Sequence, residues 1–248
     1  MLGATGLGLF FGRWQRHRSK SLQEPFAVLQ AALLGFMGLI LAFGLALAVG
    51  RYEARRAAVV EEANAIGTTY LRAQLLAEPV RTRSLERLVH YTDTSIRLSR
   101  AVPGSAAARR AAADGQLLQR QLWALAGEAI DRAPTDSAPR LYVETLNEMI
   151  DMQTVRVAGL SNRVPPPVLW LEVGGAALAL GLLAFYISLL GRGLFTVLSA
   201  ALLITLLLLV TFDLDRPTRG LIRVPSTPLT EVRGSMSLPP AAAAPGTP

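Results

Sequence analysis

The chain has no cysteine in its 248 residues. That excludes a disulfide framework, a thiol nucleophile and any cysteine-ligated zinc or iron–sulfur site. Histidine is almost as scarce: His17 and His90 stand alone and far apart, which removes the basis for a histidine metal centre or a triad. Charge is thin too, at 17% of residues, where an ordinary soluble domain carries about 25%. The sequence has no phosphate-binding glycine loop, zinc-protease helix or nucleophile elbow. It has no repeat with a period of 20 to 50 residues, and no strand pattern competes with the helical ones. An enzyme is not expected, and no residue set calls for a metal or a cofactor.

Apolar sequence is what the chain has in plenty. Hydrophobic residues make up 51% of it and the mean hydropathy is +0.36. The net charge of +7 would suit nucleic acid if it formed a patch. The apolar excess outweighs it, so the expected partner is a lipid bilayer and not a nucleic acid.

A membrane helix needs about 20 mostly apolar residues to cross about 30 Å of hydrocarbon. Phe26–Gly50 has no charged residue, Val168–Leu190 has only Glu172, and Leu194–Phe212 has none. Arg51, Arg55 and Arg56 follow the first span, as a helix end at an interface requires. Gly191-Arg192-Gly193 alone separates the second and third spans, which makes them a hairpin. Leu2–Gly12 is apolar and glycine-rich but too short to span. It reads as an interfacial segment or as the stump of a fourth membrane helix.

Within the first span, Gly35, Gly38, Ala42 and Ala46 form a small-residue face of the kind that lets membrane helices approach closely. Phe36, Ile40, Phe43 and Leu47 form a bulky stripe on another side. That stripe is either lipid-facing packing surface or a hydrophobic constriction lining an oligomeric pore.

Between the spans lies an insert, Arg51–Pro165, with 16 Lys+Arg and 13 Asp+Glu. The spacing of Val59, Ala63, Ile66 and Tyr70 predicts that the first membrane helix continues outward to about Leu76. Further helices are predicted over 80–100, 106–130 and 138–160. Their core candidates are Leu85, Leu88, Val89 and Ile96, then Leu117, Leu118, Leu122 and Leu125, then Leu141, Leu146, Met149 and Ile150. Ser105 is placed to cap the second of these. The fold class is all-α: three transmembrane helices, plus a possible truncated N-terminal fourth, and an extramembrane antiparallel four-helix bundle built partly from extensions of the membrane helices.

The expected organisation is an apolar and basic N-terminal segment (1–25), a transmembrane helix (26–50) and an extramembrane helical bundle (51–165). A transmembrane hairpin (168–212), an interfacial segment (213–234) and a disordered tail (235–248) follow.

Polar residues gather where the spans end. Glu61, Asn64 and Thr68 share one face of the first extension, and Arg55 and Glu62 share another. Asn64 reads as a buried seam residue that fixes register, or as part of a polar ring at a pore mouth. On the fourth insert helix stand Asn147, Asp151 and Thr154, with Arg156 nearby. Asp151 is expected to bind an arginine of the first helix and pin the two extensions together. After the third span comes Asp213-Leu214-Asp215-Arg216-Pro217-Thr218-Arg219-Gly220. Its carboxylates oppose the helix dipole, so they should have cationic partners, Arg216 nearest. Gly220 permits a tight turn. Glu172, one turn inside its span, should snorkel to the interface or pair with a basic residue.

Taken together, Arg55-Arg56 with Glu62-Ala63-Asn64-Ala65-Ile66-Gly67, Leu146-Asn147 with Asp151 and Arg156, Pro166, and Asp213-Leu214-Asp215-Arg216-Pro217 with Gly220 resemble the bestrophin-like family of bacterial integral membrane proteins, a domain of unknown function. The resemblance covers about Phe26–Leu229. It implies kinship with the bestrophins, which are oligomeric anion channels, and hence a homo-oligomer with anions as partners. The acidic calcium clasp of animal bestrophins has no counterpart here, so calcium gating is not implied. The alternative is a non-conducting scaffold or sensor whose bundle binds a partner. The location expected is a bacterial cytoplasmic membrane. Eight arginines flank the spans on the bundle side against five basic residues on the other, which favours a cytoplasmic bundle and C-terminus.

Overall fold

The structure is a computed structural model that describes residues 1–15, 23–190, 193–216 and 220–240. All regular structure among these residues is helical: α1 (Leu2–Gln15), α2 (Gln23–Ala73), α3 (Val80–Arg100), α4 (Ala106–Arg132), α5 (Ser137–Ser161), α6 (Pro166–Leu190), α7 (Leu194–Leu214) and α8 (Thr227–Ser235). The chain divides into two compact units, Met1–Arg51 with Arg163–Arg216 and Tyr52–Asn162 with Pro217–Pro248.

The first unit holds α1, the first half of α2, α6 and α7. Three helices are long and apolar enough to cross a membrane: Ala27–Ala73 within α2, Pro166–Leu190 and Leu194–Leu214. At 1.5 Å per residue, the 25 residues of α6 reach about 37 Å, more than the hydrocarbon thickness. Large apolar side chains such as Phe195 and Leu203 point outward, as lipid contact requires and water would penalise.

The N-terminal apolar segment is a helix packed on α6. A Cβ added at Gly12 would lie 2.6 Å from the Phe185 carbonyl oxygen, so the glycine is what permits the approach. Ser188 donates a hydrogen bond to the Leu9 carbonyl at 3.0 Å.

Helix α2 meets α6 through Met37, Leu41 and Gly44. Leu41 packs with Ala176 of α6 and Leu208 of α7, and Met37 lies over Gly175. The small-residue face does not make this contact. Gly35 and Gly38 have open space where a side chain would be, and Ala42 and Ala46 are exposed. The reason is phase: Met37, Leu41 and Gly44 are the residues that α6 meets, and the small face lies on another side of the helix.

The second unit is a helical bundle of the outer half of α2 with α3, α4 and α5. Its core includes Val59, Ile66, Leu88, Leu122, Leu146 and Met149. Ser105 caps α4 by accepting a hydrogen bond from the Ala108 amide at 3.1 Å. Two expected core residues are outside: Leu117 is 58% exposed and Leu141 39%. Their neighbours on the helices, Leu118 and the fully buried Tyr142, face inward instead.

The segment after the third span differs from the interfacial stretch and tail expected there. Thr227–Ser235 forms α8, with Pro228 in its first turn. Leu229 and Met236 enter the bundle core, and Arg233 pairs with Asp93 of α3 at 2.7 Å. Residues 241–248 lie outside the described residues.

Candidate functional site

Helix α2 carries three distinct faces in its membrane portion. One is the face against α6. About 100° away, one residue step round the helix, lies the bulky stripe. Phe36, Phe43 and Leu47 are exposed, Phe43 to 62%, and Ile40 is half-buried. Among the described residues no element covers Phe36, Phe43 or Leu47, so the stripe is available to lipid, to a second copy or to a pore lumen.

In the bundle, the functional residues of α2 are set by its unbroken helical phase. Arg55 and Glu62, seven residues apart, are both buried. Glu62 is wholly buried and forms an ion pair with Arg156 of α5, itself 3% exposed. Ser95 of α3 donates a hydrogen bond to the Glu62 Oε1 at 3.0 Å. Beside this pair, Gln119 of α4 donates to Gln153 of α5 and to the Tyr91 hydroxyl of α3. All four bundle helices thus contribute to one polar layer inside an apolar core. Burial, and then the nearby Glu62 charge, push the Tyr91 phenol above the usual tyrosine range. Burial pushes Tyr142 up to about 12.

Arg55 donates to two carbonyls at the end of α5, Gly159 O at 3.3 Å and Asn162 O at 3.1 Å. A cation at the negative end of a helix is favourably placed. With Arg156, Ser99 and Pro225 it lines an open cleft on the bundle.

The ion pair between α2 and α5 is not the expected one: Glu62 of α2 pairs with Arg156 of α5, in place of Asp151 with an arginine of α2. Asp151 is exposed and accepts from Asn147 on its own helix at 3.2 Å. Five residues along α5, Arg156 has the phase that faces the core and takes the acid from α2. Asn64 is exposed, so the buried polar residue of this stretch is Glu62 and not a seam asparagine. Arg56 is exposed and lies 3.7 Å from Glu53 one turn back, a weak surface contact.

At the end of α7, Asp215 is buried and its Oδ1 accepts a hydrogen bond from the Val164 amide at 2.8 Å. That ties the exit of α7 to the entry of α6. Arg216 is exposed, and its amide, not its guanidinium, bonds back to the Asp213 carbonyl at 3.0 Å. The short tether leaves the Asp215 side chain turned inward while the next residue turns out. Pro217 lies outside the described residues. Gly220 is buried, and its carbonyl accepts from the Arg223 side chain at 3.2 Å. Glu172 neither snorkels nor pairs. It is 1% exposed, and neither oxygen has a hydrogen-bond partner among the described residues. The phase of α6 directs it onto Gly44 of α2 and away from the interface.

Among the described residues no group of three or more histidines, aspartates or glutamates is placed to hold a metal. The geometry offers an exposed apolar helix face, a buried ion pair and a buried carboxyl without a hydrogen-bond partner among the described residues.

Similarity to known proteins agrees with this arrangement. No curated protein matches the sequence. A bestrophin homologue from Klebsiella pneumoniae is 12% identical, with a TM-score of 0.69 over 95% of this chain and 97% of that one. A second crystal structure of that homologue gives 13% identity, the same TM-score and 95% coverage of both chains. A structure described as a membrane protein is 15% identical, again at 0.69 and 95% of each chain. At such identities the likeness shows the fold. The sequence profile of the bestrophin-like domain matches residues 2–229, and the chain belongs to that family of helical membrane proteins.

Proposed function

We propose that the protein is a homo-oligomeric anion channel whose pore is lined by the stripe Phe36, Ile40, Phe43 and Leu47 of α2. The observation that carries this reading is the division of labour on α2. One face is held by α6, while Phe36, Phe43 and Leu47 of the adjacent bulky face are left exposed by the described residues. A ring of such side chains around a symmetry axis forms a hydrophobic constriction of the kind that gates by dewetting. Head-to-tail association of identical chains gives a ring when the rotation between copies closes. The basic Arg51, half-buried at the bundle end of the span, favours anions over cations near its mouth. We place the protein in a bacterial cytoplasmic membrane, with the bundle and C-terminus in the cytoplasm.

The test is the reversal potential of purified protein in planar bilayers under a potassium chloride gradient. A reversal potential near the chloride equilibrium value supports the reading. One near the potassium value contradicts anion selectivity and makes the protein a cation channel; no current at any protein density contradicts conduction and leaves a non-conducting scaffold or sensor as the better description.

A further inference from the structure

Glu172 stands apart from every other acid among the described residues. It is almost completely buried inside a membrane-spanning helix, and neither carboxyl oxygen has a hydrogen-bond partner there. A buried polar group without a partner is costly, and an ionisable residue inside a membrane segment is more often functional than incidental. Its neighbour across the helix contact is Gly44. A Cβ built at Gly44 would overlap the Glu172 carboxyl. The carboxyl therefore occupies the space that any other residue at position 44 would fill. Met37 and Gly175 repeat the arrangement one layer away with the partners exchanged, the large side chain on α2 and the glycine on α6. The two contacts together key the rotation of α2 against α6.

That rotation matters because Phe43 precedes Gly44 directly. Turning Gly44 away from Glu172 turns Phe43 by the same angle. The charged groups on the elements packed around this part of α6 are the Met1 ammonium at the start of α1, Arg51 on α2, and Asp213 and Asp215 at the end of α7. None of them hydrogen-bonds either Glu172 oxygen. A carboxylate seated there carries a full charge against a glycine backbone, whereas the neutral acid costs far less to bury.

We propose that Glu172 is a positioning residue for α2: its carboxyl, seated against Gly44, sets the rotation of the Phe36–Leu47 stripe, and its charge state shifts that rotation. This rests on the channel reading, but the contact itself is testable without conduction. The α2–α6 contact is tightest with the neutral acid and loosens when the carboxylate forms.

The experiment uses full-length purified protein, wild type and Glu172→Gln, across pH 5 to 8. Two measurements are made: the melting midpoint in detergent and chloride efflux from reconstituted vesicles. The wild type should lose melting temperature as pH rises, and its efflux should change by about threefold or more, as a modest shift of a two-state equilibrium gives. In Glu172→Gln both profiles should be flat, at the acidic wild-type level. Gly44→Ala should lower the melting midpoint, and adding Glu172→Ala to it should restore part of the loss. Equal pH profiles in wild type and Glu172→Gln would overturn the assignment, as would an unaltered midpoint in Gly44→Ala. Absence of efflux from wild type at every pH would contradict the channel reading alone, and the melting series would still decide the role of Glu172.

Discussion

Glu62 and Arg156 form a fully buried ion pair between α2 and α5, with Ser95 of α3 bonded to the same carboxylate. Buried pairs are poor evidence for net stability, because desolvation offsets much of the attraction. Removing one partner is a different matter, since it leaves an uncompensated charge. Glu62→Ala or Arg156→Ala should each destabilise the bundle by about 3–5 kcal/mol. Replacing both by apolar residues of similar volume, Glu62→Leu with Arg156→Met, should recover most of that loss. Chemical unfolding in detergent, read by circular dichroism, checks all three variants.

The cap of α4 offers a smaller and cleaner test. Ser105 satisfies the Ala108 amide, one of the donors a helix start leaves open. Ser105→Ala should cost about 1 kcal/mol and Ser105→Asp little. A change of under a few tenths of a kilocalorie in Ser105→Ala would show that water replaces the cap at no cost.

Alkaline stability should follow the two buried tyrosines. Both phenols are held neutral by burial, Tyr91 also by the Glu62 charge, and Tyr142 is pushed up to about 12. The unfolded chain ionises them near about 10. A raised folded value means the neutral form favours folding, so this stability is complete below about pH 10 and is lost as pH rises from there toward 12. Unfolding midpoints measured from pH 9 to 12 should fall, and Tyr142→Phe should soften the fall. Tyrosinate absorbance that reaches its full amplitude below pH 11 in folded protein would contradict the burial of these rings.

Asp215 joins the end of α7 to the start of α6 through the Val164 amide. Asp215→Ala leaves that buried donor unsatisfied, a cost of about 1–3 kcal/mol. Asp215→Asn keeps an acceptor oxygen and should be milder. Folded yield and melting temperature in detergent rank the two, and equal losses would mean that charge and not the hydrogen bond is what Asp215 contributes.

Much of the fold was legible because helices write their boundaries locally. The run of uncharged residues in 26–50 and the 3.6-residue spacing of Val59, Ala63 and Ile66 predict one continuous helix, and α2 is that helix. Proline, glycine and serine near 79, 103 and 105 mark the start of α3 and the turn into α4. The partnering of side chains was less legible. Asp151 and Arg156 sit five residues apart, and only the rotational setting of α5 decides which of them faces α2. Asn64 and Glu62 pose the same problem on α2. A carboxylate in the buried phase is the costlier choice, which is why the asparagine looked the better seam residue, yet the arginine across the core makes the acid viable. Helix α8 was missed although its signal is present: Pro228 in a first turn and Leu229, Val232 and Met236 at spacings of three and four. A short helix beside a proline-rich tail carries too few apolar residues to stand out. Glu172 could be recognised as an intramembrane acid, but the glycine opposite it is a tertiary fact.

The most direct test of the central claim is single-channel conductance of Phe43→Ala in planar bilayers, compared with wild type at equal protein density. If the stripe lines the pore, removing this ring widens a hydrophobic constriction and conductance should rise while anion preference is kept. If the stripe faces lipid, conductance should stay at the wild-type value, and that result would contradict the assignment of α2 as the pore helix.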